Sequence, residues 1–313
     1  MTTALYGPDG FYRRPAGPAA HFRTSVHASP LFAEAVARLA VGVCRESGEP
    51  AQFAVVDLGA GRGELLQRLA ALVPARWRLI GVDVVDRPDG LPHRIEWRSG
   101  LDELEPLPHG LLVANEWLDN IPLDVIVDGR LVEVDPTGAE RAGGPPTERD
   151  LAWCSQWGAA FGERIEVGWP RDDAWAEAVG KIGAGLAVAV DYAFGGGQHD
   201  TGTLTGYRGG RQVPPVPDGS GDLPAPVLFE SCAHAGSALM TQRDALLLLG
   251  VSAGLPAREL ASTDPAAYLR ALAAASEAGE LLDPYGLGGF GWLLHPRNLR
   301  VPDVFSAAAR SIG

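Results

Sequence analysis

Apolar and polar positions divide this chain into segments of two periods. The run FAVVDLGAGRGELL (53–66) is apolar and β-branched up to Asp57, places glycines at 59, 61 and 63, and resumes as an apolar helical stretch after Glu64. A short apolar run closed by a turn signal predicts a buried strand, a glycine turn and a helix. RLIGVDVVD (78–86), RIEW (94–97), the start of GLLVANEWLDNIP (110–122, ending near Ala114), GLAVAVDY (185–192) and GWLLH (291–295) predict further strands. Upstream, LFAEAVARLAVGVC puts Leu31, Ala35, Val36, Leu39 and Val43 on one helical face, with Ser29 as N-cap and Pro30 at the first position. The pattern predicts more helices over 65–72, 172–183, 242–250 and 265–278, and a hairpin around Asp128-Gly129 in VDGRLVEV (127–134). Residues 1–20, rich in Gly and Pro, predict irregular chain, and 136–150 is turn-rich.

Strands alternating with helices imply an α/β fold: a Rossmann-like, mainly parallel sheet with helices on both faces, plus insertions forming a lid or small extra subdomain. We divide the chain into an N-terminal irregular segment and helix (1–50), a ligand-binding core (51–195, with an insertion over about 127–175), a Gly/Pro-rich lid (196–230) and a part completing the core (231–313). The lid follows from a stretch of more than thirty residues after Tyr192 with little regular pattern; loops this long in a compact domain are usually functional. No internal repeat is present. At 313 residues the chain buries a substantial core.

Charge and cysteine content narrow the function classes. A net charge of -13 argues against a general nucleic-acid binder, which needs clustered cations. Cys44, Cys154 and Cys232 lie far apart without C-x-x-C spacing, which points to a reducing compartment and to neither a disulfide framework nor a zinc site. His21, His27, His199 and His234 are scattered, so no metal is assigned. No apolar run reaches the roughly 20 residues of a membrane span, and the N-terminus has no secretory apolar region. A cytoplasmic protein is expected.

The glycine turn carries the chemistry. A dinucleotide turn reads G-x-G-x-x-G/A, and Glu64 stands where its third small residue belongs. Asp57 followed by Gly59, Gly61 and Gly63 instead resembles motif I of class I S-adenosylmethionine (SAM) methyltransferases. Asp83, at the end of the second strand, suits a ribose diol, with Asp86 as a competitor beyond the apolar run. A structural turn with a capping acid is the plain alternative.

The fourth strand ends in Asn115-Glu116-Trp117-Leu118-Asp119-Asn120, before Ile121-Pro122. Polar groups directly after an apolar strand are poorly explained by packing, although Asp119 or Asn120 as a turn residue and Glu116 as a solvated charge would account for them. The block lacks the Pro-Pro-aromatic run of DNA amino-methyltransferases. Glu116 suits a cationic acceptor such as a guanidinium, and also suits the proton released after attack. Asp119 assists or orients Trp117. Asp191 ends a strand at the same sheet edge, as a second acceptor-side carboxylate or a turn former, and Tyr207 and Arg208 lie in the lid as substrate candidates or an exposed pair.

Together these blocks resemble the MidA/NDUFAF7 family of class I SAM-dependent methyltransferases, once classed as a domain of unknown function. The likeness runs nearly end to end. It covers GFYRRP (10–15), HFRTSVHASPLFAEAVARLA (21–40), VVDLGAGRGELL, LLVANEWLDNIPLD, DYAFGGG with GTLTGYRGGRQV and GDLPAPVLF, and TQRDALLLLGV with the 284–296 stretch. It implies a class I methyltransferase fold, SAM bound through Asp57, Gly59, Gly61, Gly63, Asp83 and Asn115, and catalysis by Glu116 and Asp119. It also implies a protein acceptor, arginine by preference, and through the mitochondrial member a possible respiratory complex I subunit as partner. This chain departs from the family at Thr24-Ser25-Val26-His27-Ala28-Ser29-Pro30, where an acid is missing, and at Ala193-Phe194, Pro224, Pro226 and Leu228 in the lid. The acceptor side has therefore diverged. A small-molecule methyltransferase and a SAM-binding assembly factor without catalysis remain alternatives, with a dinucleotide oxidoreductase further off. Oligomeric state is not legible.

Overall fold

Most of the apolar runs collect into one eight-stranded sheet. A computed structural model describes residues 1–14, 24–193, 202–305 and 308–312. In chain order the strands are β1 (Ala54–Leu58), β2 (Arg78–Val82), β3 (Ile95–Arg98), β4 (Leu107–Asn115), β5 (Val125–Val127), β6 (Arg130–Val134), β7 (Glu140–Ala142), β8 (Arg164–Glu166), β9 (Ile182–Asp191), β10 (Gly206–Arg208), β11 (Arg211–Val213), β12 (Ser237–Thr241), β13 (Gly291–Arg297) and β14 (Arg310–Ile312). The helices are α1 (Thr2–Tyr6), α2 (Ser25–Ala28), α3 (Pro30–Glu46), α4 (Glu64–Leu72), α5 (Glu148–Trp157), α6 (Trp169–Gly180), α7 (Phe229–Cys232), α8 (Gln242–Leu248), α9 (Arg258–Thr263) and α10 (Pro265–Leu281).

The large sheet has the order β14-β12-β13-β9-β4-β1-β2-β3. β3, β2, β1, β4 and β9 pair in parallel. β13 runs antiparallel to both β9 and β12, which returns β12 to the common direction, and β14 is reversed again at the edge. Successive strand residues feed opposite faces. Val55, Leu79, Leu111 and Val113 pack under α3, α4, α8 and α10, whereas Val56, Ile80, Leu112 and Ala114 pack with Trp175 of α6 and Phe229 of α7. Burial on both faces explains why these strands read as continuous apolar runs.

A four-stranded antiparallel sheet, β7-β6-β5-β8, occupies the insertion and carries its own small core of Ile126, Trp153, Phe161 and Val167. Its β5–β6 hairpin turns through Asp128 (φ 49°) and Gly129 (φ 70°), the left-handed pair that a two-residue turn demands. Several short elements, β7, β8, β10, β11, β14, α5 and α9 among them, are absent from the sequence pattern, and two stretches show why. Residues 2–6 form a helical turn because Ala4, Leu5 and Phe11 bury against Leu223, a partner more than two hundred positions away. β12 is too short and mixed to register as a strand until it pairs with β13. His21, Phe194 and His199 lie outside the described residues.

Candidate active site

The sheet order reverses between β1 and β4, and in such sheets the crevice beyond the carboxyl ends at that point takes the ligand. A cavity of about 710 Å³ opens there. From β1 the chain enters a turn in which Gly59 (φ 74°), Gly61 (φ 58°) and Gly63 (φ 76°) all adopt left-handed backbone. Gly59 has a second reason to be glycine: a Cβ there would sit 2.8 Å from Cδ1 of Trp117. The turn hangs from β2, since the N–H groups of Gly59 and Ala60 both donate to the carbonyl of Val82.

Asp57, Glu64, Asp83, Asp86 and Asp89 line the cavity on the side of the glycine turn. Asp57, at the end of β1, is buried; that burial, with the Asp83 and Glu64 carboxylates nearby, pushes it up to about 8. Asp83 accepts from the N–H of Gly61 (2.8 Å) and of Val85 (3.1 Å), yet desolvation still raises it. Asp86, the competing acid, lines the same cavity from its exposed rim. Glu64 faces His27 (3.3 Å) and accepts from the N–H of Arg62 (3.1 Å). Burial would raise Glu64, but His27 and the backbone donors outweigh it and hold the carboxyl below its ordinary value. Gly63 sits behind this surface and caps α4.

Across the cavity, Asn115 and Glu116 end β4. Glu116 is a non-glycine residue at φ 55°, a conformation that costs free energy and is retained where surroundings enforce it. Its N–H donates to Val190 (2.7 Å), and its carboxyl accepts from the N–H of Ser25 (3.2 Å) and from Nδ2 of Asn115 (3.1 Å). Desolvation dominates these donors and, with Asp191 close by, pushes Glu116 up to about 8. The Oδ1 atom of Asn115 is buried without a partner among the described residues.

The remaining residues singled out in the sequence take different places. Asp119 is buried, accepts from Nδ2 of Asn120 (2.7 Å), and is raised by burial and by Asp191, Asp222 and Glu116, with Arg171 opposing. Asp191 is fully buried. Its carboxylate accepts from the N–H groups of Leu118 (2.9 Å), Asp119 (3.1 Å) and Tyr192 (2.9 Å), so it holds the turn that follows β4 and presents no free edge to the cavity. Tyr207 and Arg208 lie on β10; Arg208 is exposed and donates to Ser220 (3.2 Å), and neither residue lines the cavity.

Other cavity residues were not read as a site from sequence. Thr24, His27, Tyr12, Arg13 and Arg14 line the mouth, and Tyr12 donates to Asp222 (2.9 Å) in the lid. Arg171 is buried and donates to three carbonyls, those of Asp119 (3.2 Å), Ala225 (2.8 Å) and Pro226 (2.9 Å), which ties the segment 225–226 to the turn after β4. The Thr24-Ser25 and Tyr12 segments had stood out only through the family likeness. Arg171 lay in a segment without a clear pattern.

A largely parallel sheet with two reversed strands at one side, a glycine turn after the first strand and an acid after the second fit a class I methyltransferase. The family model described as S-adenosyl-L-methionine-dependent methyltransferase matches residues 35–244, and the chain belongs to that family. The MidA/NDUFAF7 likeness seen in the sequence fits it, and SAM is the cofactor. No curated protein matches the chain. Among solved structures, a Burkholderia thailandensis protein bound to S-adenosyl-homocysteine is similar over 99% of this chain and 90% of its own, at 25% identity and a TM-score of 0.78. A native crystal structure from the same bacterium shares the fold, at 24% identity, the same coverage and a TM-score of 0.76. Among the described residues no helix is long and apolar enough to cross a membrane, and no group of three or more His, Cys, Asp or Glu side chains is disposed to hold a metal ion.

Proposed function

We propose that the enzyme methylates a protein side chain, with the guanidinium of arginine as acceptor, and that Glu116 is the carboxylate that receives it. The observation carrying this reading is Glu116 itself, held in left-handed backbone at the end of β4 with its carboxyl on the cavity beside the glycine turn. SAM, when bound, supplies an activated methyl group on a positively charged sulfur. Gly59 and Gly61 would hold its adenosine, and Asp83 or Asp86 would take the ribose hydroxyls. Asn115 would offer its orphaned Oδ1 to the amino group of the methionyl part, and Asp57, once ionised, would offset its charge.

The acceptor side has its own logic. Glu116 pairs with the guanidinium, aims one nitrogen along the line of displacement, and takes the proton which that nitrogen loses as its bond to carbon forms. Asp119 assists from the turn after β4, which it steadies through Asn120, because burial beside three acids favours its neutral form. Because Glu116 sits at about 8 before any cation arrives, much of it is protonated at neutral pH. Transfer should therefore rise with pH and level off above about 8, since a carboxyl must ionise to hold a cation.

The test uses labelled SAM with cell extract and the Glu116→Gln variant. Label that precipitates with protein, lost by about a hundredfold or more in the variant while SAM affinity by calorimetry stays within about twofold, is the expected result. Transfer unchanged in Glu116→Gln would sink the assignment. Label remaining soluble would favour a small-molecule acceptor. Recovery of modified protein and mass spectrometry of the labelled residue would identify the acceptor.

A further inference from the structure

Glu116 is steadied from outside its own strand. Ser25, completely buried, begins the helical turn Ser25–Ala28 and directs its backbone N–H at Oε1 of Glu116 (3.2 Å). Its hydroxyl meets the carboxamide of Gln242, also completely buried, with Oγ 3.2 Å from Oε1 and 3.0 Å from Nε2. Gln242 is fixed in turn, donating to the carbonyl of Leu287 (2.9 Å) and accepting from the Trp292 indole (3.3 Å). The chain of contacts runs from β13 through α8 and α2 to the acid. The Ser25 hydroxyl and both polar atoms of the Gln242 carboxamide have partners, which is what makes a buried network rigid.

We infer that Ser25 is the positioning residue for the Glu116 carboxylate, with Gln242 as the lock that holds Ser25 in place. The inference rests on the reading of Glu116 given above, but the bond itself is independent of the acceptor's identity. It matters because the other charged groups facing Glu116 push its charge away. Asp191 at the end of β9, Asp222 in the lid and Asp119 in the turn after β4 are all acids, and Tyr192 stands near them. Arg171 is committed to backbone carbonyls on the far side of Asp119. Besides Nδ2 of Asn115, the Ser25 N–H is the donor that meets the Glu116 carboxyl among the described residues.

One substitution removes that donor, and a second controls for the hydroxyl lost with it. Proline is tolerated at the first position of a helix, and the residue before it must be extended. Thr24 is extended already, at φ -77° and ψ 168°. Ser25→Pro deletes both N–H and hydroxyl, and Ser25→Ala deletes the hydroxyl alone. Carbon-13 NMR titration of glutamate-labelled protein reads the outcome, with the Glu116 signal assigned by its absence in Glu116→Gln. Ser25→Pro should raise the Glu116 midpoint by about one pH unit over Ser25→Ala, a tenfold change in ionisation. The pH dependence of methyl transfer should move with it, and SAM affinity should not.

A Glu116 midpoint in Ser25→Pro equal to that in Ser25→Ala overturns the proposal. Should Ser25→Pro not fold, Gln242→Met decides: release of Ser25 should move the midpoint upward, and an unmoved midpoint overturns the proposal equally. Loss of the broader reading looks different. In that case Glu116→Gln transfers methyl groups normally, while the Ser25 variants still shift the titration.

Discussion

Gly59 and Gly61 show how much a single position can carry. Both have left-handed backbone, so replacing either by alanine costs roughly 1–2 kcal/mol from conformation alone. Beyond that, a Cβ on Gly61 meets only Glu64 Oε2 at 3.6 Å, whereas one on Gly59 displaces Trp117. Gly59→Ala should therefore lower the thermal midpoint by more than Gly61→Ala, and a calorimetric scan of both would show it. Equal losses would mean that Trp117 moves freely. The three glycines were legible in the sequence because left-handed positions leave so narrow a choice of residue. Ser25 was not: what makes it part of the site is a backbone N–H, and backbone groups leave no trace in a sequence. Asp191 was visible as an acid at a strand end, but its saturation by three N–H groups depends on how the turn after β4 folds back over it.

At the level of elements, Arg171 joins three pieces of chain. Its guanidinium links the turn after β4 to the segment 225–226, and the N–H of Ala225 donates back to the carbonyl of Asp119 (3.1 Å). Replacement by alanine leaves the carbonyls of Ala225 and Pro226 to find other partners, each at a cost of about 1–3 kcal/mol, while that of Asp119 keeps the Ala225 N–H. Hydrogen exchange should then quicken at Ala225 and Val227 in Arg171→Ala while the amides of β1 and β2 stay protected. Uniform quickening would show that Arg171 supports the whole fold and not the lid in particular. Long strands buried on both faces were readable as apolar runs, and so was the hairpin at Asp128-Gly129. The lid, α1 and β12 were not, because short elements owe their form to distant partners such as Leu223 and β13.

For the molecule as a whole, the buried acids set a pH trend. Asp57 and Glu116 have ordinary values of 3.8 and 4.5 and folded values of about 8. Between those limits the folded chain holds protons that the unfolded chain releases. The contribution of these two groups to stability is thus fully present below about pH 4 and is lost as pH rises through about 8. Asp57→Asn, which cannot ionise, should flatten the fall in thermal midpoint between pH 5 and pH 9 relative to the parent (roughly the window those values define). A parallel fall in both proteins would show that Asp57 ionises as freely in the folded state as in the unfolded one. None of this was legible beforehand, since an excess of acids says nothing about which are buried.

The contacts around Glu116 join parts of the chain that are made at very different times. Ser25 meets Gln242 across 217 positions and Tyr12 meets Asp222 across 210, whereas Gly61 meets Asp83 across only 22. Closing long loops is slower than closing short ones, and a chain emerging from the ribosome has its early segments first. The cofactor turn can therefore settle while most of the polypeptide is still unmade. The Ser25–Gln242 contact must wait for α8, so in a nascent chain truncated before Gln242 the bond between Gly61 and Asp83 can form while Ser25 still lacks its partner.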